Sequence, residues 1–376
     1  MKVLIAMDSW KGSLSSAEAA QAVKSGILQS GGDYEIVIKA LADGGEGTVK
    51  ALTSEKNGRI IETVVTGPLG DKRKAVYGVL KDGKTAVIEM AEAAGLALVP
   101  RDKRNPLYTT TYGVGELIKE AVNCGYRNFI IGLGGSSTND GGVGMLQALG
   151  FEFFDEDGAQ LGLGGQVLGR INNISIENRI KELDQCTFRV ACDVDNPLYG
   201  VDGAAYVFGP QKGATNEIVK ELDKGLVNYS QVVKRSLGID IGKSAGTGAA
   251  GGLGYAFMAF LNGKLESGIK IIMEEIKLED EIKNSDIVVT GEGRIDSQTE
   301  MGKAPWGVAK LAKKHGIKVI AMAGSVTGLR ENSYMDGCFS VIQSPISLED
   351  AMKKENAFKN IEITAREIFR LISTFN

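Results

Sequence analysis

Short apolar runs alternate with polar, glycine-containing loops and amphipathic helical stretches at both ends of this chain, and that alternation admits few folds. KVLIAM leads through Asp8–Ser13 into SSAEAAQAVKSGILQSGG. There Ser15 and Glu18 have the spacing of a capping box, Ala19, Val23, Ile27 and Leu28 form a helical stripe, and Gly31-Gly32 end it. YEIVIKAL, the loop ADGGEG and a helix to about Lys56 repeat the pattern. Near the other end come DIVVT, GEGRIDSQT, the helix PWGVAKLAKKHG, IKVIAMAG, the shorter FSVI and a terminal amphipathic helix. Alternating strands and helices predict a parallel sheet with right-handed crossovers.

The texture changes in the middle. KAVYGVLKDGKTAVIEMA contains two strand-like runs joined by Lys81-Asp82-Gly83-Lys84, whose Asp-Gly marks a hairpin. A helix from about Thr110 to Asn123, the strand NFIIGLG, a glycine loop, a helix through Leu149 and the strand TFRVACDV follow. A length of 376 residues suits about two domains. The reading is therefore two α/β domains, one of them discontinuous. Residues 1–66 and 285–376 build a parallel sheet, residues 67–284 form an inserted domain with a mixed sheet, and the cleft between them is the expected site.

Composition excludes several functions. With 43 Lys+Arg against 47 Asp+Glu, and no long basic run, nucleic-acid binding has no electrostatic support. The apolar start before Asp8 is too short for a secretory or membrane segment, so the expectation is a cytoplasmic protein without membrane association. Cys124, Cys186, Cys192 and Cys338 lack metal-ligand spacing and read as buried reduced thiols. The single histidine, His315, sits where the last turn of a helix is expected, which leaves no histidine for a catalytic triad. Fifty glycines are nearly twice the ordinary share and recur in clusters between apolar runs, as in an anion-binding enzyme.

Local chemistry concentrates in a few segments. NFIIGLGGSSTNDGGVGMLQALG runs from a strand through Gly134–Gly142 into a helix, which reads either as a phosphate cradle or as a polar turn with an Asn or Asp cap. Asp140 could be a cap, a metal ligand or both. IDIGKS lacks one residue of a Walker A loop and follows a helix, which rejects a P-loop. Residues 246–251 match GxGxxG without a preceding strand, leaving a phosphate-approach loop, helix packing or a nicotinamide site open. Acids follow strands at Asp8, Asp43, Asp193, Glu292 and Asp296, at the strand ends where α/β sheets gather ligands. Lys11 and Lys212 lie in glycine-containing loops and suit phosphate or carboxylate neutralisation, as do Arg104 and Arg294, while a solvated surface lysine is the plainer alternative, more so for Lys212 than for Lys11. Trp10, Trp306, Phe257 and Phe260 read as packing residues.

Together, MDSWKGSLS, LADGGEGT, VTGPLG, IEMAEAAGL, RNPLYTTTYGVGELI, GLGGSSTNDGGVGM, ACDVDNPLYG, VFGPQKGAT, GAAGGLG and TGEGRIDSQTEMGKAP resemble the class I glycerate kinases, of the ATP-dependent 2-kinase type. They follow the family order from residue 7 to residue 305; Met7 and Trp10 stand where Pro and another aromatic are expected. The resemblance implies a discontinuous domain with a parallel Rossmann- or flavodoxin-like sheet and an inserted mixed α/β domain. It also implies transfer of the ATP γ-phosphoryl group to D-glycerate with Mg²⁺, giving 2-phosphoglycerate rather than the 3-phospho isomer. Such transfer needs positioning, charge neutralisation and a carboxylate base. The expected roles are Asp193 as base with Asp8 as rival, Lys11 at the transferring group, and Asp43, Asp195 or Asp296 for Mg²⁺. Arg104, Arg294, Ser136 and Asn139 are expected on glycerate. Gly134, Gly135, Ser137, Thr138, Gly248, Gly251 and Lys212 are expected on the nucleotide. A homo-oligomer stays open.

Overall fold

The computed structural model describes residues 1–376 apart from 43, 46, 54–57, 297, 298, 300–302, 329–333 and 376. Its strands are β1 (Lys2–Met7), β2 (Glu35–Ile38), β3 (Arg59–Thr66), β4 (Lys72–Val79), β5 (Thr85–Glu89), β6 (Asn128–Gly132), β7 (Glu152–Phe154), β8 (Asn173–Ser175), β9 (Thr187–Ala191), β10 (Lys264–Glu266), β11 (Ile287–Ile295), β12 (Lys318–Val326) and β13 (Gly337–Ser340). The chain divides into two compact units, Met1–Asp43 with Ile269–Asn376 and Gly44–Gly268.

The first unit is a five-stranded sheet in the order β13-β12-β11-β1-β2, with every pairing parallel. Val3–Met7 of β1 are fully buried, as an uninterrupted apolar run in a central parallel strand requires. The helix Ser16–Gln29 begins with the expected capping box between Ser15 and Glu18. It lies against the terminal helix Lys354–Ser373 so closely that a Cβ on Gly26 would stand 2.2 Å from the Glu362 carbonyl oxygen. Val23, Ile27, Ile361, Ala365 and Phe369 fill the space around that crossing.

The second unit carries a six-stranded sheet ordered β10-β9-β6-β5-β4-β3. β10, β9, β6 and β5 run parallel, while β4 and β3 join through antiparallel hairpins, so the sheet is mixed as its texture predicts. The Asp82-Gly83 turn links β4 to β5, with Gly83 at φ +66°. Asp82 Oδ1 accepts the Lys84 and Thr85 N–H groups. β7 and β8 form a separate antiparallel pair.

The joins differ from those expected near residues 66 and 285. β3 already pairs with β4, and the helix Thr48–Thr53 sits in the second unit, where the buried Glu89 carboxylate accepts the Val49 N–H at 2.7 Å and the Gly47 N–H at 3.2 Å. The strand, loop and helix that read as one βα unit therefore straddle the join. The helices Gly268–Glu275 and Leu278–Lys283 lie largely or wholly in the first unit, where Gly307 approaches Ile269 and Met273. Among the described residues, no helix is long and apolar enough to cross a membrane.

Candidate active site

In the second unit, Glu89, Gly132, Ala191 and Glu266 are register partners at the carboxyl ends of β5, β6, β9 and β10. The chain beyond β6 is the glycine loop, and the chain beyond β9 is CDVD. Small residues let another segment close over both: a Cβ on Gly132 would stand 2.4 Å from the Gly44 carbonyl oxygen, and one on Gly134 2.8 Å from Gly45 Cα. The glycines of LADGGEGT thus pack on this strand end.

The loop is held from inside. The Ser137 N–H and hydroxyl both donate to the Ala94 carbonyl at 2.9 Å, and Thr109 Oγ1 donates to the Ser137 carbonyl. Asp140, fully buried, accepts the Thr111 N–H at 2.8 Å, the Thr111 hydroxyl at 2.9 Å and the Gly142 N–H at 3.1 Å. That bonding gives Asp140 a structural task, tying the loop to Thr111 at the start of the helix Tyr112–Asn123. Burial nevertheless holds its carboxyl above the ordinary range against these donors. Lys212, 2% exposed, donates from Nζ to Ser136 Oγ at 2.7 Å and to the Thr138 carbonyl at 2.6 Å. Burial pushes its amine down to about 7, with the Asp140 charge acting in the opposite direction. A lysine that reads most simply as solvated is thus an interior strut.

Gly134 and Gly135 are exposed, and Gly135 has φ +76°. No described residue accepts the N–H groups of Gly134, Gly135 or Ser136. Among the described residues, the buried Asn139 carboxamide has no partner for Oδ1 or Nδ2, and Thr138 Oγ1 is likewise without one. Exposed N–H groups beside buried, unsatisfied polar atoms suit an anionic ligand. Asp193 and Asp195 are exposed just beyond β9, with Asp193 Oδ1 accepting the Gly268 N–H at 3.0 Å.

Other expected ligand positions in this unit have internal tasks. Arg104 donates to the Val99 carbonyl at 3.3 Å and the Leu96 carbonyl at 3.5 Å. A Cβ on Gly251 would stand 2.1 Å from the Thr138 carbonyl oxygen, and one on Gly248 2.2 Å from that of Pro197. Close backbone packing by itself requires the missing Cβ at both glycines. Ala250, Gly251 and Gly252 all have positive φ and kink the start of the helix Ala249–Leu261 rather than opening a nucleotide loop after a strand.

In the first unit, Met7 and Gly291 are register partners, so Asp8 and Glu292 follow neighbouring strand positions on β1 and β11. Both are buried, at 5% and 8% exposure. Asp8 Oδ1 accepts the Ser9 N–H at 2.7 Å. Glu292 accepts the Thr299 hydroxyl at 2.7 Å and lies 3.4 Å from Lys303 Nζ, while burial raises its carboxyl pKa. Sequence reasoning noticed Glu292 as a strand-end acid but not its partners, which follow seven and eleven residues later. Lys11 is exposed in the turn closed by the Trp10–Leu14 bridge, and Trp10 packs beside Gly293 and Gly324. Arg294 pairs with Asp296 at 3.0 Å. Asp43 lies outside the described residues. His315 caps the helix Ala304–Lys314 and meets Glu279 at 2.7 Å, as its position predicts.

Among the described residues, no group of three or more His, Cys, Asp or Glu side chains is arranged to hold a metal. Mg²⁺ does not require such a cage, because it is ordinarily held by one or two carboxylates together with substrate phosphates. The exposed Asp195 fits that kind of site. Asp296 would first have to give up Arg294.

Comparison with known proteins adds independent evidence. The sequence model of the glycerate kinase family matches residues 3–373. A glycerate kinase of Bacillus subtilis strain 168 is 48% identical over 98% of this chain and 97% of its own length. A glycerate 2-kinase of Escherichia coli K12 is 48% identical with the same coverage. A crystal structure from Salmonella typhimurium LT2, provisionally named glycerate kinase 2, superposes with a TM-score of 0.90 at 46% identity, covering 100% of this chain and 98% of that one.

Proposed function

This chain belongs to the glycerate kinase family and is a phosphotransferase, and from that premise we propose that it moves the γ-phosphoryl group of ATP to the 2-hydroxyl of D-glycerate, giving 2-phosphoglycerate and ADP. The glycerate 2-kinase relative supports the choice of hydroxyl. The observation that carries the reading is the shared origin of the Gly134–Asn139 loop and Asp193, which leave adjacent parallel strands just beyond the register pair Gly132 and Ala191. Anion donors and an exposed carboxylate at one strand end are what phosphoryl transfer to an alcohol requires.

In this scheme the glycerate oxygen forms a bond to the γ-phosphorus as the bond to the β–γ bridging oxygen breaks. Asp193 receives the hydroxyl proton and later releases it to solvent. Its exposure and fixed Oδ1 favour it over the nearly buried Asp8. The N–H groups of Gly134 and Gly135 take phosphate oxygens, and Ser136 and Asn139 are the contacts for an anionic substrate. Asp195 would hold Mg²⁺, which would supply charge neutralisation. Cys124 is exposed and Cys186, Cys192 and Cys338 are half-buried, so the burial expected of these thiols does not hold.

³¹P NMR of the protein with ATP, Mg²⁺ and D-glycerate tests the reading. The expected spectrum shows ADP and 2-phosphoglycerate growing together. Accumulation of the 3-phospho isomer refutes the regiochemistry, and no phosphoglycerate at all refutes the activity.

A further inference from the structure

The Lys212 ammonium and the Ser136 hydroxyl are arranged in series. Lys212 is fixed by the turn Pro210–Lys212 and by Gly213, whose Cβ position is blocked at 2.2 Å by the Arg104 carbonyl oxygen. Its side chain crosses the interior to Ser136 Oγ, 2.7 Å away, and to the Thr138 carbonyl, 2.6 Å away. A lysine whose only task were to meet a ligand would not place its amine on two oxygens of its own chain. A serine hydroxyl holds one proton and two lone pairs. Here the ammonium occupies a lone pair, so the proton points elsewhere, and no described residue accepts it. Ser136 is 8% exposed and directly follows the exposed Gly135. A buried hydroxyl polarised by an ammonium and lacking an acceptor is a strong donor in search of one.

We propose that Lys212 and Ser136 form a relay in which the buried ammonium acts on an anionic ligand oxygen through the serine hydroxyl, with Ser136 the binding residue and Lys212 the positioning residue. The ligand chemistry is an anionic oxygen, either a nucleotide phosphate or the carboxylate of the hydroxy acid. This assignment rests on the reading that the chain binds ATP and D-glycerate. It differs from an ordinary lysine contact because the cation never touches the ligand. Direct approach would require Lys212 to leave both of its oxygens, whereas the relay uses the bonds already made. The buried, unpartnered Asn139 carboxamide and Thr138 Oγ1 lie on the same loop and mark it as a place where polar atoms await a partner.

Calorimetric titration with the magnesium complex of a non-hydrolysable ATP analogue, and separately with D-glycerate, tests the relay in the full chain. Ser136→Ala should weaken one of the two probes about tenfold or more, the order expected for a hydrogen bond to a charged group. Lys212→Met should weaken the same probe and spare the other, and the double variant should bind no worse than the weaker single variant. The affected probe tells phosphate from carboxylate. Unchanged affinity for both probes in Ser136→Ala overturns the relay, as do losses that multiply in the double variant, or equal losses of both probes in Lys212→Met. If Lys212→Met does not fold, Ser136→Thr decides: recovery of binding relative to Ser136→Ala supports the relay, and no recovery overturns it. A wild-type protein that binds both probes yet forms no phosphoglycerate in the NMR assay removes the kinase reading alone. One that binds neither removes the relay as well.

Discussion

Two lysine–carboxylate arrangements, one in each unit, solve the problem of a buried charge in opposite ways. In the second unit the cation is enclosed: Lys212 is 2% exposed, rests on neutral oxygens, and has Asp140 as a charge acting through space. In the first unit the anion is enclosed: Glu292 is 8% exposed, while the Lys303 side chain beside it at 3.4 Å is 40% exposed. Burial disfavours whichever charge it surrounds, so it lowers the Lys212 pKa and raises that of Glu292. An enclosed cation behind a loop with available N–H groups favours an arriving anion. An enclosed carboxylate with a solvated partner does not, which is why the anion chemistry is placed on the loop after β6.

The comparison is sharpened first at Asp193. Replacing it with Asn should lower kcat by about 10²–10⁴, the usual worth of a general base, with far smaller changes in either KM. A loss under about tenfold in steady-state assays returns the base role to Asp8. Next in size, Asp140→Ala strips the acceptor from four donors, the Thr110 and Thr111 hydroxyls and the Thr111 and Gly142 N–H groups, and leaves Lys212 without a countercharge. It should cost about 3–5 kcal/mol in urea unfolding. If Glu292→Gln proves equally damaging, the two units do not differ as described.

Much of this contrast was readable in the sequence, and part of it was not. Local signals were reliable: Ser15 and Glu18 cap their helix, Asp82-Gly83 turns its hairpin, and His315 ends its helix. The family motifs led to a discontinuous parallel domain with a mixed insertion, which is the architecture observed. What stayed hidden depended on partners distant in the chain. Lys212 looks like a surface residue until Ser136, 76 residues earlier, is seen to accept its hydrogen bond. The join falls after residue 43, and the Glu89 bonds to the N–H groups of Gly47 and Val49 within the second unit are announced by no periodicity. At Gly248 and Gly251 the sequence alone cannot separate the two causes of a glycine, because close backbone packing selects the same residue as close ligand approach.

Smaller effects probe the charges themselves. Lys212 has a folded-state pKa near 7, below the 10.5 of an unperturbed lysine, so between those values the unfolded chain binds more protons and this group makes stability rise with pH. Its contribution is complete above about 10.5 and lost as pH falls through about 7. Denaturation of wild type and Lys212→Met across that range should show wild type gaining on the variant as pH rises; a constant difference contradicts the depressed pKa. Least of all, Lys303→Met should change stability by less than about 1 kcal/mol, because its ion pair is partly solvated.

Hydrogen exchange at Gly134, Gly135 and Ser136 bears most directly on the claim that the loop after β6 receives the substrate anions. Saturation with the magnesium complex of the non-hydrolysable ATP analogue and D-glycerate should slow exchange at these amides, for which no described residue is an acceptor. Unchanged exchange at all three, with both compounds bound, would contradict the account.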